Sequence, residues 1–139
     1  MNRAQMATAL QEVPLFAHCS QRDLRTLLRH LDLHQVEEGT AMVEQGAPGN
    51  AFYFLVSGSA DVVRNGRRVG ALGRGGFFGE MALLDPGPRT ASVIATEHCE
   101  VLTVSHRMFN VVFRDLPTLR KGLLKSMAGR LRSLDDRLS

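Results

Sequence analysis

The sequence predicts a mainly β protein with flanking helices (α+β): an antiparallel jelly-roll β-barrel over residues 33–104, N-terminal helices over 1–32 and C-terminal helices over 106–139. Three observations predict this. Between Leu33 and Val104, short runs of Val, Phe, Ala and Leu are punctuated by Gly39, Gly46, Gly58, Gly66, Gly70 and Gly73. Such closely spaced turn signals mark many short strands in a sandwich or barrel. On both sides of that region the apolar residues recur every three or four positions, the period of a helix. The length of 139 residues with 44% hydrophobic content suits one domain, 1–139, able to bury a core without disulfide staples.

The elements follow in order. Residues around 3 to 12 read as a short helix stopped by Pro14. Ser20 followed by Asp23 resembles a capping box with Asp in place of Glu, and Leu24, Leu27, Leu28 and Leu31 then share one helical face. Strands are expected near 34–36, 41–44, 51–56, 59–63, 68–72, 91–95 and 100–104. Asn65-Gly66 between Val62-Val63 and Val69 predicts a type I′ hairpin, because both central residues of that turn need positive φ. After Ser105, Leu116, Leu119, Leu123, Met127, Leu131, Leu134 and Leu138 form the apolar stripe of a long amphipathic helix whose other face carries Arg and Lys.

Composition excludes several classes. No apolar run approaches the roughly 20 residues of a bilayer span, and MNRAQMATALQEVPLF lacks the apolar stretch of a secretory signal, so no membrane span and a cytoplasmic location are expected. Cys19 and Cys99 stand in unlike contexts, which offers neither a redox CxxC nor a zinc set and leaves two buried thiols. His18, His30, His34, His98 and His106 are scattered, without the H-x-H spacing of metal-binding barrels, so no metal is expected. The formal charge of +3 and pI near 9.4 come from dispersed basic residues interrupted by acids, and no direct nucleic-acid binding is expected. GRGGFFGE matches neither phosphate-loop pattern, having no Gly-Lys-Ser/Thr and no G-x-G-x-x-G, so no nucleotide hydrolysis is expected and the chain does not read as an enzyme.

Chemistry concentrates in FFGEMALLDPGPRTASV, residues 77–93. Burying an unpartnered ion costs several kcal/mol, yet this apolar segment carries Glu80 beside Gly79 and Arg89 after a Pro-Gly-Pro turn. Gly79 to Leu84 is long enough for one helical turn, and a helix start leaves backbone N–H groups without internal partners. Arg89 adds a planar fork of donors suited to two phosphate oxygens, and Thr90 adds a hydroxyl. Glu80 would repel a phosphate unless aimed at a hydroxyl of the same ligand. A ribose 2′-OH beside a cyclised phosphate supplies one, so the pair points to a nucleotide.

The run F-G-E-M-A-L-L followed by P-R-T-A-S-V resembles the phosphate-binding cassette of the cyclic nucleotide-binding domain family, found in cAMP-regulated kinase subunits, nucleotide-gated channels and catabolite-activator-type regulators. The resemblance covers roughly Val13 to Leu134, including PLF at Leu15, glycines 39, 46 and 58, and the YFLVSG run at 53–58. It implies a cassette at 77–92 in which Gly79 and the amides of Glu80, Met81 and Ala82 face the phosphate and Glu80 takes the ribose 2′-OH. Arg89 with Thr90 would hold the exocyclic oxygens, with Ala91 beside them. It further implies a C-terminal helix closing over the base, with Arg130 and Leu134 at the lid. A wall from Phe54, Val63, Val69 or Leu72 completes the pocket, although strand parity alone does not separate wall from core.

The function expected is a regulatory sensor of cyclic nucleotide, cAMP in preference to cGMP, with no cofactor beyond that ligand. Thr90 can offer its hydroxyl to a guanine amino group, which keeps a cGMP-selective sensor as the alternative. Another is the sensor fragment of a larger transcription regulator or channel, with a homodimer or a covalently linked effector domain as partner. A DNA-binding regulator would need a helix-turn-helix beyond Ser139.

Overall fold

The computed structural model describes the backbone of residues 1–138 and the side chains of 1–129; the side chains of Arg130 and Leu134 therefore lie outside the described residues. The chain divides into two compact units, residues 31–109 and residues 1–30 with 110–139.

The first unit is built from antiparallel strands. β1 (Asp32–Val36), β10 (Cys99–Ser105), β4 (Ala51–Ser57) and β7 (Phe77–Phe78) form one sheet in the order β1-β10-β4-β7. β2 (Ala41–Val43), β9 (Ser92–Ala95), β5 (Ala60–Arg64) and β6 (Arg67–Leu72) form the other, in the order β2-β9-β5-β6. Most neighbours in both sheets are distant in sequence, with β5 and β6 joined by a hairpin, the jelly-roll arrangement expected. Leu55 of β4, Ala60 of β5, Val93 and Ala95 of β9, and Cys99 and Val101 of β10 pack into one buried cluster, so both sheets contribute to the core.

Each expected strand is present, with ends shifted by one or two residues. Asn65 (φ 52°) and Gly66 (φ 76°) occupy the two turn positions between Arg64 and Arg67, as the hairpin signal requires. Three short strands lie outside the expected set: β7 (Phe77–Phe78), which pairs with β4, and β3 (Pro48–Gly49), which pairs with β8 (Gly87–Pro88). Strands this short show no alternation, and proline and glycine argue against strand on propensity. The β3–β8 ladder decides where Arg89 stands.

The other unit is helical. In α1 (Arg3–Leu10), Asn2 and Gln5 form a reciprocal capping box. The helix ends at Leu10, ahead of the expected boundary near residue 12, and Pro14 opens a separate 3-10 turn, Pro14–Phe16, where its fixed φ is favourable. Ser20 caps α2 (Gln21–Leu28), its hydroxyl accepting from the Asp23 amide at 3.1 Å. Only that half of the expected box forms; Asp23 Oδ2 is buried with no hydrogen-bond partner among the described residues. After β10 the chain runs as α3 (His106–Asp115) and α4 (Pro117–Leu138), broken at Leu116 because the residue before a proline disfavours the helical conformation. Helix α4 meets the 18–19 turn so closely that a Cβ at Gly122 would lie 2.8 Å from Cys19 Sγ and 2.9 Å from the His18 carbonyl. No described helix is long and apolar enough to cross a membrane.

Candidate anion-binding site

Arg89 is positioned from its backbone outward. The β3–β8 pair sets Pro48 against Pro88 and Gly49 against Gly87. Beyond it, the Arg89 amide donates to the Ala47 carbonyl at 2.8 Å, and the Gly46 amide donates to the Arg89 carbonyl at 2.7 Å. The side chain then lies across two glycines. A Cβ at Gly49 would stand 2.5 Å from Arg89 Nε, and one at Gly79 would stand 2.5 Å from Nη1. No other residue type leaves this slot open.

At its end the guanidinium donates from Nη2 to the Ala51 carbonyl at 2.6 Å and lies over the Tyr53 ring, 5.7 Å from the centroid. Tyr53 also stacks on Phe78, with ring centroids 4.7 Å apart. Arg89 Nε is buried with no hydrogen-bond partner among the described residues. Burial lowers the Arg89 pKa and the neighbouring Tyr53 opposes that shift; an arginine so placed keeps its charge at neutral pH. The result is an immobilised cation with part of its donor capacity unspent.

Gly79 supplies the second half of the site. Its φ of 80° is left-handed, a conformation glycine adopts at no steric cost, and it caps the 3-10 turn Glu80–Leu83. The expected helical turn is therefore tighter than an α-helix. Within it the Ala82 amide donates to the Gly79 carbonyl at 3.0 Å, so that amide is already used.

A cavity of about 370 Å³ opens between these features, lined by Gly79, Met81, Ala82, Arg89, Thr90 and Ala91 among the residues expected from sequence. Glu80, partly buried at the first position of the turn, is not among the lining residues. The apolar wall comes from Val43, Val62, Leu72 and Val93. Of the four wall candidates, only Leu72 lines the cavity: Phe54 is wholly buried in the core, Val69 is largely exposed, and Val63 faces elsewhere. Two polar lining residues escape the sequence reading, Arg64 and Asp85. Arg64 has the same strand parity as Val62, a visible signal, but only the pairing of β5 with β9 tells which face of β5 meets the cavity. Among the described residues no group of three His, Cys, Asp or Glu side chains is placed to hold a metal ion.

Residues 33–115 match the family model described as the cyclic nucleotide-binding domain. Over 122 residues the chain is 34% identical to potassium/sodium hyperpolarization-activated cyclic nucleotide-gated channel 3 of Mus musculus, an alignment covering 88% of this chain and 16% of the channel. It is 35% identical to a cAMP-dependent protein kinase regulatory subunit of Hypocrea atroviridis over 100 residues, covering 72% of this chain and 22% of the subunit. Among solved structures, the N-terminal domain of a transcriptional regulator from Streptomyces coelicolor A3(2) superposes with a TM-score of 0.82 at 28% identity, covering 91% of both chains. The chain thus spans about a fifth or less of the length of these curated relatives.

Proposed function

The chain belongs to the cyclic nucleotide-binding domain family, and from that premise we propose that its cavity receives cAMP in preference to cGMP as the input of a regulatory switch. The observation that carries this reading is the Arg89 guanidinium seated against Gly79 at the margin of a cavity of about 370 Å³. That volume falls in the range of roughly 300–1,000 Å³ usual for small-ligand pockets. Preference for adenine rests on similarity to the cAMP-dependent kinase regulatory subunit.

In this reading the cyclic phosphate sits between Gly79 and Arg89, taking the remaining guanidinium donors, the amides of Glu80 and Met81 and the Thr90 hydroxyl. Ala82, with its amide engaged, contributes its methyl to the wall beside Ala91. Val62 and Leu72 pack against the nucleoside. Glu80 turns toward the ribose 2′-OH as the ligand enters, and that rearrangement is the change that binding drives. Arg130 and Leu134 close over the base. Ligand shifts the open and closed populations only by its differential affinity for them, so closure draws on contacts absent from the open form. The module returns its ligand unchanged.

Calorimetry with cAMP and cGMP side by side tests the reading. Micromolar or tighter binding of cAMP is expected, with cGMP weaker. Charge-assisted hydrogen bonds contribute about 1.5–3 kcal/mol each, so Arg89→Ala weakens binding on the order of a hundredfold or more. Absence of heat and of thermal protection with both nucleotides would overturn the assignment.

The superposition with the N-terminal domain of a transcriptional regulator favours a second reading at the level of the whole protein, in which this module is the sensor of a linked effector. Direct DNA contact by residues 1–139 is not part of it: a gel shift with random duplex at low salt is expected to show no salt-sensitive complex.

A further inference from the structure

We propose that Arg64, at the end of β5, is a second phosphate-binding cation of the cavity and a determinant of its affinity. This rests on the cyclic nucleotide reading above. The inner face of β5 runs from Ala60, buried in the core, through Val62 in the cavity wall to Arg64 at the cavity margin, each two residues from the last. Arg64 Nε donates to the Thr90 carbonyl at 3.2 Å, which holds its guanidinium beside the residue that follows Arg89. Its two terminal nitrogens have no protein partner among the described residues and form an exposed fork.

The segment that carries Arg64 is pinned. Gln45 and Asn65 exchange two hydrogen bonds, Gln45 Nε2 to Asn65 Oδ1 and the Asn65 amide to Gln45 Oε1, both at 2.8 Å. The Gln45 amide in turn donates to Ser92 Oγ at 2.9 Å, tying the hairpin tip to the strand that lines the cavity. A cation presented from a fixed turn loses little conformational freedom when it meets its anion.

Charge placement makes the same point independently. Arg64 stands directly across the ladder from Arg67, a like-charge pair that destabilises a hairpin. The neighbouring Arg68 is neutralised by Asp61 at 2.9 Å, whereas Arg64 has no carboxylate partner among the described residues. An anion in the cavity relieves this repulsion. Arg89 has spent Nη2 on Ala51 and buried Nε, so it cannot surround a phosphodiester alone.

Titration of the wild-type chain, Arg64→Gln and Arg64→Lys with cAMP across a range of salt concentrations tests this. Arg64→Gln is expected to bind about tenfold more weakly, with a shallower dependence of affinity on salt because one ion contact is gone. Its unfolding temperature without ligand is at or slightly above the wild-type value, since the side chain is exposed and the repulsion with Arg67 is removed. Arg64→Lys restores the salt dependence but not the full affinity, because an ammonium cannot hold the Thr90 carbonyl and present a fork together. If wild type binds and Arg64→Gln binds as tightly with the same salt slope, the role of Arg64 is overturned while the site stands. If wild type takes up no cyclic nucleotide, both readings fall.

Discussion

Arg89 passes between two glycines that differ in why they must be glycine. Gly79 has a left-handed φ and its missing Cβ would also meet the Ala51 carbonyl at 2.6 Å, so Gly79→Ala strains the backbone and the slot together. A loss on the order of 1–3 kcal/mol of stability is expected, along with ligand binding. Gly49 is not among the positive-φ glycines, and the nearest atoms to an added methyl all belong to Arg89. Gly49→Ala should therefore fold with near wild-type stability and lose cAMP binding, because the guanidinium is displaced. A calorimetric titration paired with thermal unfolding separates the two variants; tight binding by Gly49→Ala would remove the slot from the account. Arg89, which lines the cavity, was legible in the sequence because charge in an apolar segment demands a partner; Glu80, singled out on the same ground, is not among the lining residues. Gly49 and Arg64 were not legible, because their places are set by strand pairing between residues distant in the chain; nor was Asp85, which stands in the bend between the 3-10 turn and β8.

Among the elements, legibility followed local chemistry. The β5–β6 hairpin was readable because Asn-Gly dictates one turn type. The β3–β8 pair was not, since two-residue strands carry no period and exist only because the ends meet. In the helical unit, Cys19 lies buried where α4 approaches the 18–19 turn, and burial, with the Asp23 carboxylate adding, raises its thiol from 9.0 to about 11. The unfolded thiol ionises first as pH rises, so the folded form binds more protons in that window and stability falls from pH 9.0 toward about 11. Cys19→Ala lacks this linkage and should lose less stability than wild type over that interval in urea unfolding. Parallel pH profiles for the two proteins would refute the effect.

At the scale of the molecule, every residue lining the cavity belongs to the unit of residues 31–109, and the family match at 33–115 covers the same ground. The alternation of glycine-punctuated strands and flanking helices was enough to foresee the architecture. Which hydrophobic residues line the site was not, because core and cavity share the inner faces of the same strands. Arg89 Nε, buried without a partner among the described residues, weighs on the protein before any nucleotide arrives. A dehydrated cation is a liability that the remainder of the fold offsets, so receptivity and maximum robustness are opposed here. Arg89→Met, similar in reach and uncharged, is expected to unfold at the same or a higher temperature than the unliganded wild type while being blind to cAMP. A clear drop in melting temperature would mean that the guanidinium is a structural brace; a rise would mark the sensor as a protein held below its own ceiling of durability by the need to stay responsive.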